Sequence, residues 1–156
     1  MIRPATAADA PGIAEIWNDV IRTSTITFTT VEKTPEAIAA LIAERICLVA
    51  EGDGRIAGFA TYGPFRAGPG YRFTAEHSVY VRAEAQGAGH GGALMAALEE
   101  AARGNGIRVL VAGIGGENPR AQAFHAHLGF RTAGHLVEVG EKFGRSQDLI
   151  LMTKKL

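Results

Sequence analysis

The stretch QGAGHGGAL, Gln86 to Leu94, places four glycines among nine residues, at positions 87, 89, 91 and 92. Gly87, Gly89 and Gly92 reproduce the spacing of the dinucleotide fingerprint G-x-G-x-x-G. That fingerprint also requires the glycines to follow a strand end almost directly, and an acidic residue about 20 positions on to hold a ribose. Neither requirement is met. Five residues, Arg82 to Gln86, separate Val81 from the first glycine, and the next apolar run ends in Val111, Ala112 and Gly113 without a carboxylate. His90, Gly91 and Gly92 also lack the Lys-Ser/Thr pair of a P-loop. What survives is physical: unhindered amides at a helix N-terminus converge on one anion, and the helix dipole favours negative charge there. The stretch suits a pyrophosphate, and the competing reading is a tight turn that lets a helix pack closely on a sheet.

Working outward, Gly91 to Arg103 puts Leu94, Met95, Leu98 and Ala102 on one helical face, and Asn105-Gly106 ends it. FTAEHSVYV before the glycines and IRVLVAGI after the helix have strand composition, the second nearly continuous and therefore buried. Asn118 caps a further helix with Pro119 in its first position and Gly129 at its end, and the strand-like HLVEV and DLILMTKKL follow. Upstream, GPFRAGPGYR reads as a loop, and ICLVAE and RIAGFATY flank Gly52-Asp53-Gly54 as an antiparallel hairpin.

The N-terminal part opens with a short strand at Ile2 to Pro4 and a helix capped by Asp9, with Pro11 in its first turn and Ile13, Ile16, Trp17, Val20 and Ile21 as its stripe. Thr34-Pro35-Glu36 starts a second helix, with Ile38, Leu41 and Ile42 inward. TSTITFTTVEKT between the helices, with Phe28 in its middle, is an extended loop. The order β-α-α-β-β-β-α-β-α-β-β predicts an α/β or α+β fold that mixes antiparallel hairpins with β-α-β crossovers in one sheet.

The 156 residues fit one domain, and 47% hydrophobic with 21% charged residues is globular composition. No apolar run reaches the roughly 18 residues of a membrane span, and the N-terminus shows no secretory pattern, so a cytoplasmic protein with no membrane partner is expected. Sixteen basic residues balance sixteen acidic ones with no Lys/Arg run, which argues against nucleic acid as a partner. Cys47, the only cysteine, reads as core packing within ICLVA. His125 and His127 face different sides of a helix, and no Cys/His/acid cluster suggests a metal.

With the strand HSVYV, a short loop, Gln86-x-x-Gly89-x-Gly91 and a helix, the chain resembles the GCN5-related N-acetyltransferase (GNAT) superfamily, whose signature is Arg/Gln-x-x-Gly-x-Gly/Ala. Asn118-x-x-Ala121 and Leu128-Gly129-Phe130 look like its second cofactor segment. Residues 75–81, AEHSVYV, 111–114, VAGI, and Gly140-x-Lys142-Phe143-Gly144-Arg145 are similar to the branch that acetylates phosphinothricin and methionine sulfoximine or sulfone. The resemblance implies a single domain over residues 1–156 with a mixed, mostly antiparallel twisted sheet flanked by helices. It implies acetyl-CoA, held by the main chain of Val79, Tyr80 and Val81 and, at its pyrophosphate, by Gln86, Gly87, Ala88, Gly89, His90, Gly91 and Gly92. Asn118 is placed near the thiol end, although it is equally a good N-cap. Homodimers are common in the family.

The chemistry follows from the acceptor. An amine must lose a proton before it attacks a thioester, and the resemblance places the base at Glu76, whose pKa an apolar site would raise toward the useful range. It assigns the Val81 amide to the oxyanion. Many superfamily members protonate the departing thiolate with a tyrosine where this chain has His125, which is either that acid or a structural histidine. On the acceptor side the resemblance places Phe28, Tyr71, Arg72, Glu76, His77 and Ser78, with Arg66 a further candidate. Arg72 would meet a carboxylate unless it forms an ordinary surface ion pair. The expected activity is transfer to the α-amino group of a small amino acid or a toxic analogue, hence detoxification. The alternatives are a protein N-terminus, lysine or polyamine as acceptor, the last disfavoured by the arginine-bearing loop, and a CoA-binding module without turnover.

Overall fold

Periodicity and end signals translate into eleven regular elements in the computed structural model, which describes residues 1–156. In chain order they are β1 (Ile2–Pro4), α1 (Ala10–Thr23), α2 (Pro35–Glu44), β2 (Cys47–Gly52), β3 (Arg55–Pro64), β4 (Thr74–Val81), α3 (His90–Gly104), β5 (Val109–Gly115), α4 (Pro119–His127), β6 (Arg131–Lys142) and β7 (Arg145–Lys155). The order is the one the sequence predicts. Thr34 accepts the Ala37 amide at 3.1 Å and Asn118 accepts the Ala121 amide at 3.1 Å, so both act as N-caps.

Asp9 does not cap α1, contrary to expectation. A 3-10 turn over Ala7–Asp9 runs straight into the helix, so Asp9 already has helical dihedrals and its carboxylate reaches back to the Thr6 amide at 2.7 Å. It is the third-position acid of an earlier start. The Arg3 guanidinium binds the same carboxylate at 2.8 and 2.9 Å and holds its pKa down to about 2.

The strands form one sheet in the order β1-β2-β3-β4-β5-β7-β6, antiparallel at every pairing except β4 with β5. Parallel neighbours need a crossover, and α3 supplies it. One face of the sheet packs on α3 through Leu94, Met95, Leu98 and Ala102, and the other on α1 and α2 through Ile13, Ile16 and Ile38. Cys47 is buried in the second core, where desolvation pushes its thiol up to about 12.

The central pairing is incomplete. β4 runs beside β3 from Ala75 to Val81, yet meets β5 only over Thr74–Glu76 opposite Val109–Val111. Beyond those residues β5 continues beside β7 as far as Gly115, leaving a slot between the two middle strands. The Arg82 amide donates to the Ala57 carbonyl at 2.8 Å, which fixes the phase of the β3–β4 ladder. By alternation, the amides of His77, Val79 and Val81 point away from β3; that of His77 closes the pairing with Val111, and those of Val79 and Val81 face the slot.

Candidate active site

Side chains alternate across β4. Ala75, Val79 and Val81 join the core under α3, whereas Tyr80 packs on Trp17 and Phe59 at 5.9 and 5.6 Å on the α1 side. Glu76 and Ser78 share the Tyr80 side and His77 the other. In an unbroken sheet these two sets would never meet. The slot lets them meet: a cavity of about 540 Å³ is lined by Glu76, Ser78 and Tyr80 together with His77, Val79, Gly113, Asn118 and His125. Ile26, Thr27 and Phe28 form another part of its wall.

A second cavity, of about 530 Å³, follows the glycine loop and the start of α3 along Gln86, Gly87, Gly89, His90, Gly91 and Gly92. Gly89, at the N-cap of α3, has φ of 84°, a left-handed conformation that glycine adopts without strain. Ala88 lies in the loop off this lining. The Gln86 amide oxygen accepts from Arg120 at 2.6 Å, which ties the loop to α4. Both cavities touch Ile26, Val79, Tyr80, Asn118, Ala121 and His125. Slot amides and a helix N-terminus thus line one side, and Glu76 stands on the other.

Glu76 has no hydrogen bond or ion pair within the protein, and burial raises its pKa. A carboxylate with a raised pKa and a vacant lone pair facing a cavity has the properties of a general base.

His77 and His125 approach through their Nε2 atoms at 2.9 Å, and His125 Nδ1 lies 2.8 Å from the Ala121 carbonyl. A carbonyl only accepts, so Nδ1 of His125 carries its proton and its Nε2 is the acceptor for Nε2–H of His77. His77 Nδ1 is buried without a partner at hydrogen-bond distance. Burial and the neighbouring His125 push the pKa of His77 down to about 3, and burial lowers that of His125. A neutral His125 so engaged offers no proton from Nε2, which is the reverse of the acid role suggested by its place in the sequence. His127 lies elsewhere on α4, and no group of three or more His, Cys, Asp or Glu gathers where it could hold a metal.

Tyr71, Arg72 and Arg66 are not brought to Glu76. They line a neighbouring hollow with Tyr62 and Asn105. Arg72 closes the 3-10 turn Pro69–Tyr71 before β4, and its guanidinium stacks 4.4 Å above Phe73 and donates to the Pro69 carbonyl at 2.9 Å. The arginine on the Glu76 cavity is instead Arg45, the C-cap of α2. Its guanidinium lies against Gly63, the residue paired with Glu76 across β3 and β4, and it has no ion-pair partner. Sequence reasoning missed Arg45; its one available signal was a cation closing an amphipathic helix directly before a buried strand. Ile26, two residues from Phe28 in the extended loop, was missed as well.

Known proteins share this fold. Residues 13–130 match the model of the acetyltransferase (GNAT) family. A relative from Pseudomonas aeruginosa, L-methionine sulfoximine/L-methionine sulfone acetyltransferase, is 38% identical over 99% of this chain and 94% of its own. A ribosomal-protein-alanine N-acetyltransferase from Brucella melitensis superposes with a TM-score of 0.96 at 39% identity, covering 100% of this chain and 99% of that one. A phosphinothricin acetyltransferase from Sinorhizobium meliloti, in complex with acetyl-CoA, superposes with a TM-score of 0.94 at 31% identity over 100% and 88% of the two chains.

Proposed function

The chain belongs to the acetyltransferase (GNAT) family, and from that premise we propose the acceptor and the residue roles. It is an acetyl-CoA-dependent N-acetyltransferase. Its acceptor is the α-amino group of a small amino acid or analogue of the methionine sulfone, methionine sulfoximine and phosphinothricin class, named by its relatives. The observation that carries the reading is the slot, which brings free strand amides and an unpaired, half-buried carboxylate to two adjoining cavities.

Acetyl-CoA supplies a thioester activated for attack. The amides of Val79 and Val81 suit its pantetheine arm, being unclaimed by β3, and the glycine loop with the α3 N-terminus suits its pyrophosphate. On the acceptor side, Glu76 takes a proton from the amine. Of the two amides, that of Val79 is the nearer to Glu76 along β4 and faces the charge that develops on the acetyl oxygen, which leaves Val81, expected in that role, to the arm. Arg45 meets the acceptor carboxylate in the place expected of Arg72. Phe28, Ser78 and Tyr80 shape the wall, and the neutral His77–His125 pair orders the floor.

The test is a thiol-release assay with acetyl-CoA and a panel of acceptors that includes the three analogues, ordinary amino acids, a polyamine and an alanine-terminated peptide. Saturable release with the analogues is expected. Release with the peptide alone would move the acceptor to a protein N-terminus, and release with none would end the acetyl-transfer reading.

We further place this activity in a single domain of a cytoplasmic homodimer that detoxifies amino-acid analogues. The exposed Leu136, Val137 and Val139 on edge strand β6 support a second copy there.

A further inference from the structure

The segment between α1 and α2 walls the acceptor cavity through Ile26, Thr27 and Phe28, yet it contains no helix or strand. A segment without its own ladder holds its shape only through contacts made by other parts of the fold. Further along, Asn18 of α1 holds Lys33 at both its amide and its carbonyl, whereas at residues 24–28 the long-range contacts come from the C-terminal half of the chain.

Lys142, the last residue of β6, is 0% exposed, and its Nζ donates to the carbonyls of Ser24 at 2.6 Å and Thr27 at 2.7 Å. The Thr25 hydroxyl donates to Glu117 at 3.0 Å, and Arg145 grips the same carboxylate at 2.6 Å. The Phe28 ring rests on Gly140 so closely that a Cβ at that position would overlap it.

A buried ammonium without a carboxylate partner is costly, and burial lowers the pKa of Lys142. The two carbonyls and the Phe143 ring, 5.0 Å from Nζ, offset part of that cost. Methionine or leucine would fill the space without it. What the ammonium adds is a pair of hydrogen bonds to main-chain groups three residues apart, which converge on one point only when the segment turns. We propose that Lys142 is a positioning residue for the acceptor, its ammonium latching residues 24–28 onto the β6–β7 hairpin and so setting the Phe28 wall over the cavity.

The kinetic consequence rests on the acetyl-transfer reading, whereas the latch is a property of the fold, and the two are measured separately. Lys142→Met, Lys142→Arg and Gly140→Ala are made in the full chain. Each is assayed for acceptor KM and kcat with methionine sulfone, for acetyl-CoA KM, and for amide hydrogen exchange resolved by peptide. For Lys142→Met the expected result is an acceptor KM raised at least about tenfold, with kcat within roughly threefold and acetyl-CoA KM within roughly twofold of wild type. Exchange should quicken in the 24–28 segment and stay unchanged in the sheet. Lys142→Arg should recover part of the KM, and Gly140→Ala, which pushes Phe28 from the other side, should reproduce the split.

An unchanged acceptor KM in Lys142→Met, or faster exchange spread over the whole sheet, overturns the proposal. Should that variant fail to fold, Gly140→Ala decides, and a wild-type acceptor KM there overturns it too. If the wild-type protein acetylates no amine, the acetyl-transfer reading is what fails, and the exchange data still decide the latch.

Discussion

His77 and His125 form a closed hydrogen-bond chain: Nε2–H of His77 donates to Nε2 of His125 at 2.9 Å, and Nδ1–H of His125 donates to the Ala121 carbonyl at 2.8 Å. Burial lowers both pKa values, which keeps both rings neutral near neutral pH. Their folded pKa values lie below the ordinary histidine value, so as pH falls the unfolded chain takes up protons first. The stability that the neutral pair contributes is complete above about pH 6.5 and is lost progressively toward the folded values, about 3 for His77. His77→Asn should flatten the decline in thermal midpoint between about pH 7 and about pH 5. Parallel declines in the two proteins would remove the pair as a source of acid sensitivity.

Glu76→Gln should lower kcat by about 10² to 10⁴ while acetyl-CoA binding stays at the wild-type level. Because burial raises the pKa of Glu76, the wild-type rate should begin to fall on the acid side at a pH above the usual carboxylate range, as the base becomes protonated. That acid limb should vanish in the variant. A wild-type rate in Glu76→Gln would assign the base elsewhere.

Gly89→Ala forces a side chain into a left-handed conformation at φ of 84°, at a cost of about 1–2 kcal/mol. The loop relieves this strain by shifting its amides, so acetyl-CoA KM should rise about tenfold with little change in acceptor KM. Calorimetric titration with CoA measures the effect directly, and undiminished affinity would detach the loop from the pyrophosphate.

Arg45→Ala should raise the KM for a free amino-acid acceptor by about tenfold to a hundredfold, the worth of one charged hydrogen-bonded pair. The carboxamide of the same acceptor should bind both proteins alike, since it carries no charge to lose. Equal KM values for the free acid in variant and wild type would leave the carboxylate to another group, and Arg66→Ala would be the next variant to measure.

The order of the elements was legible because each start signal acts locally: Thr34 and Asn118 cap within their own turn. Asp9 shows the limit of that legibility, since an acid at the cap and an acid three positions into an earlier turn have the same local pattern. Glu76 was singled out only through the family resemblance, whereas the glycine loop at the start of α3 and the cap at Asn118 were within reach of residue reading. The slot was not. It depends on where the β4–β5 pairing stops, at Glu76 and Val111, and no local residue pattern encodes the end of a long-range register. The same reason hid the His77–His125 pair, 48 residues apart in sequence. Arg72 is drawn away from Glu76 because the turn at Pro69–Tyr71 decides where it points.

The slot divides inheritance between two kinds of chemical information. Its amides at Val79 and Val81 belong to the main chain, and a point substitution there changes a side chain while leaving the donor in place. The acceptor wall is built from side chains, Phe28, Arg45 and Tyr80 among them, each replaceable by one codon change. On the proposed roles, substitutions in the acceptor wall change acceptor choice without touching the acyl-donor site, because donor recognition rests on strand register and acceptor choice on residue identity.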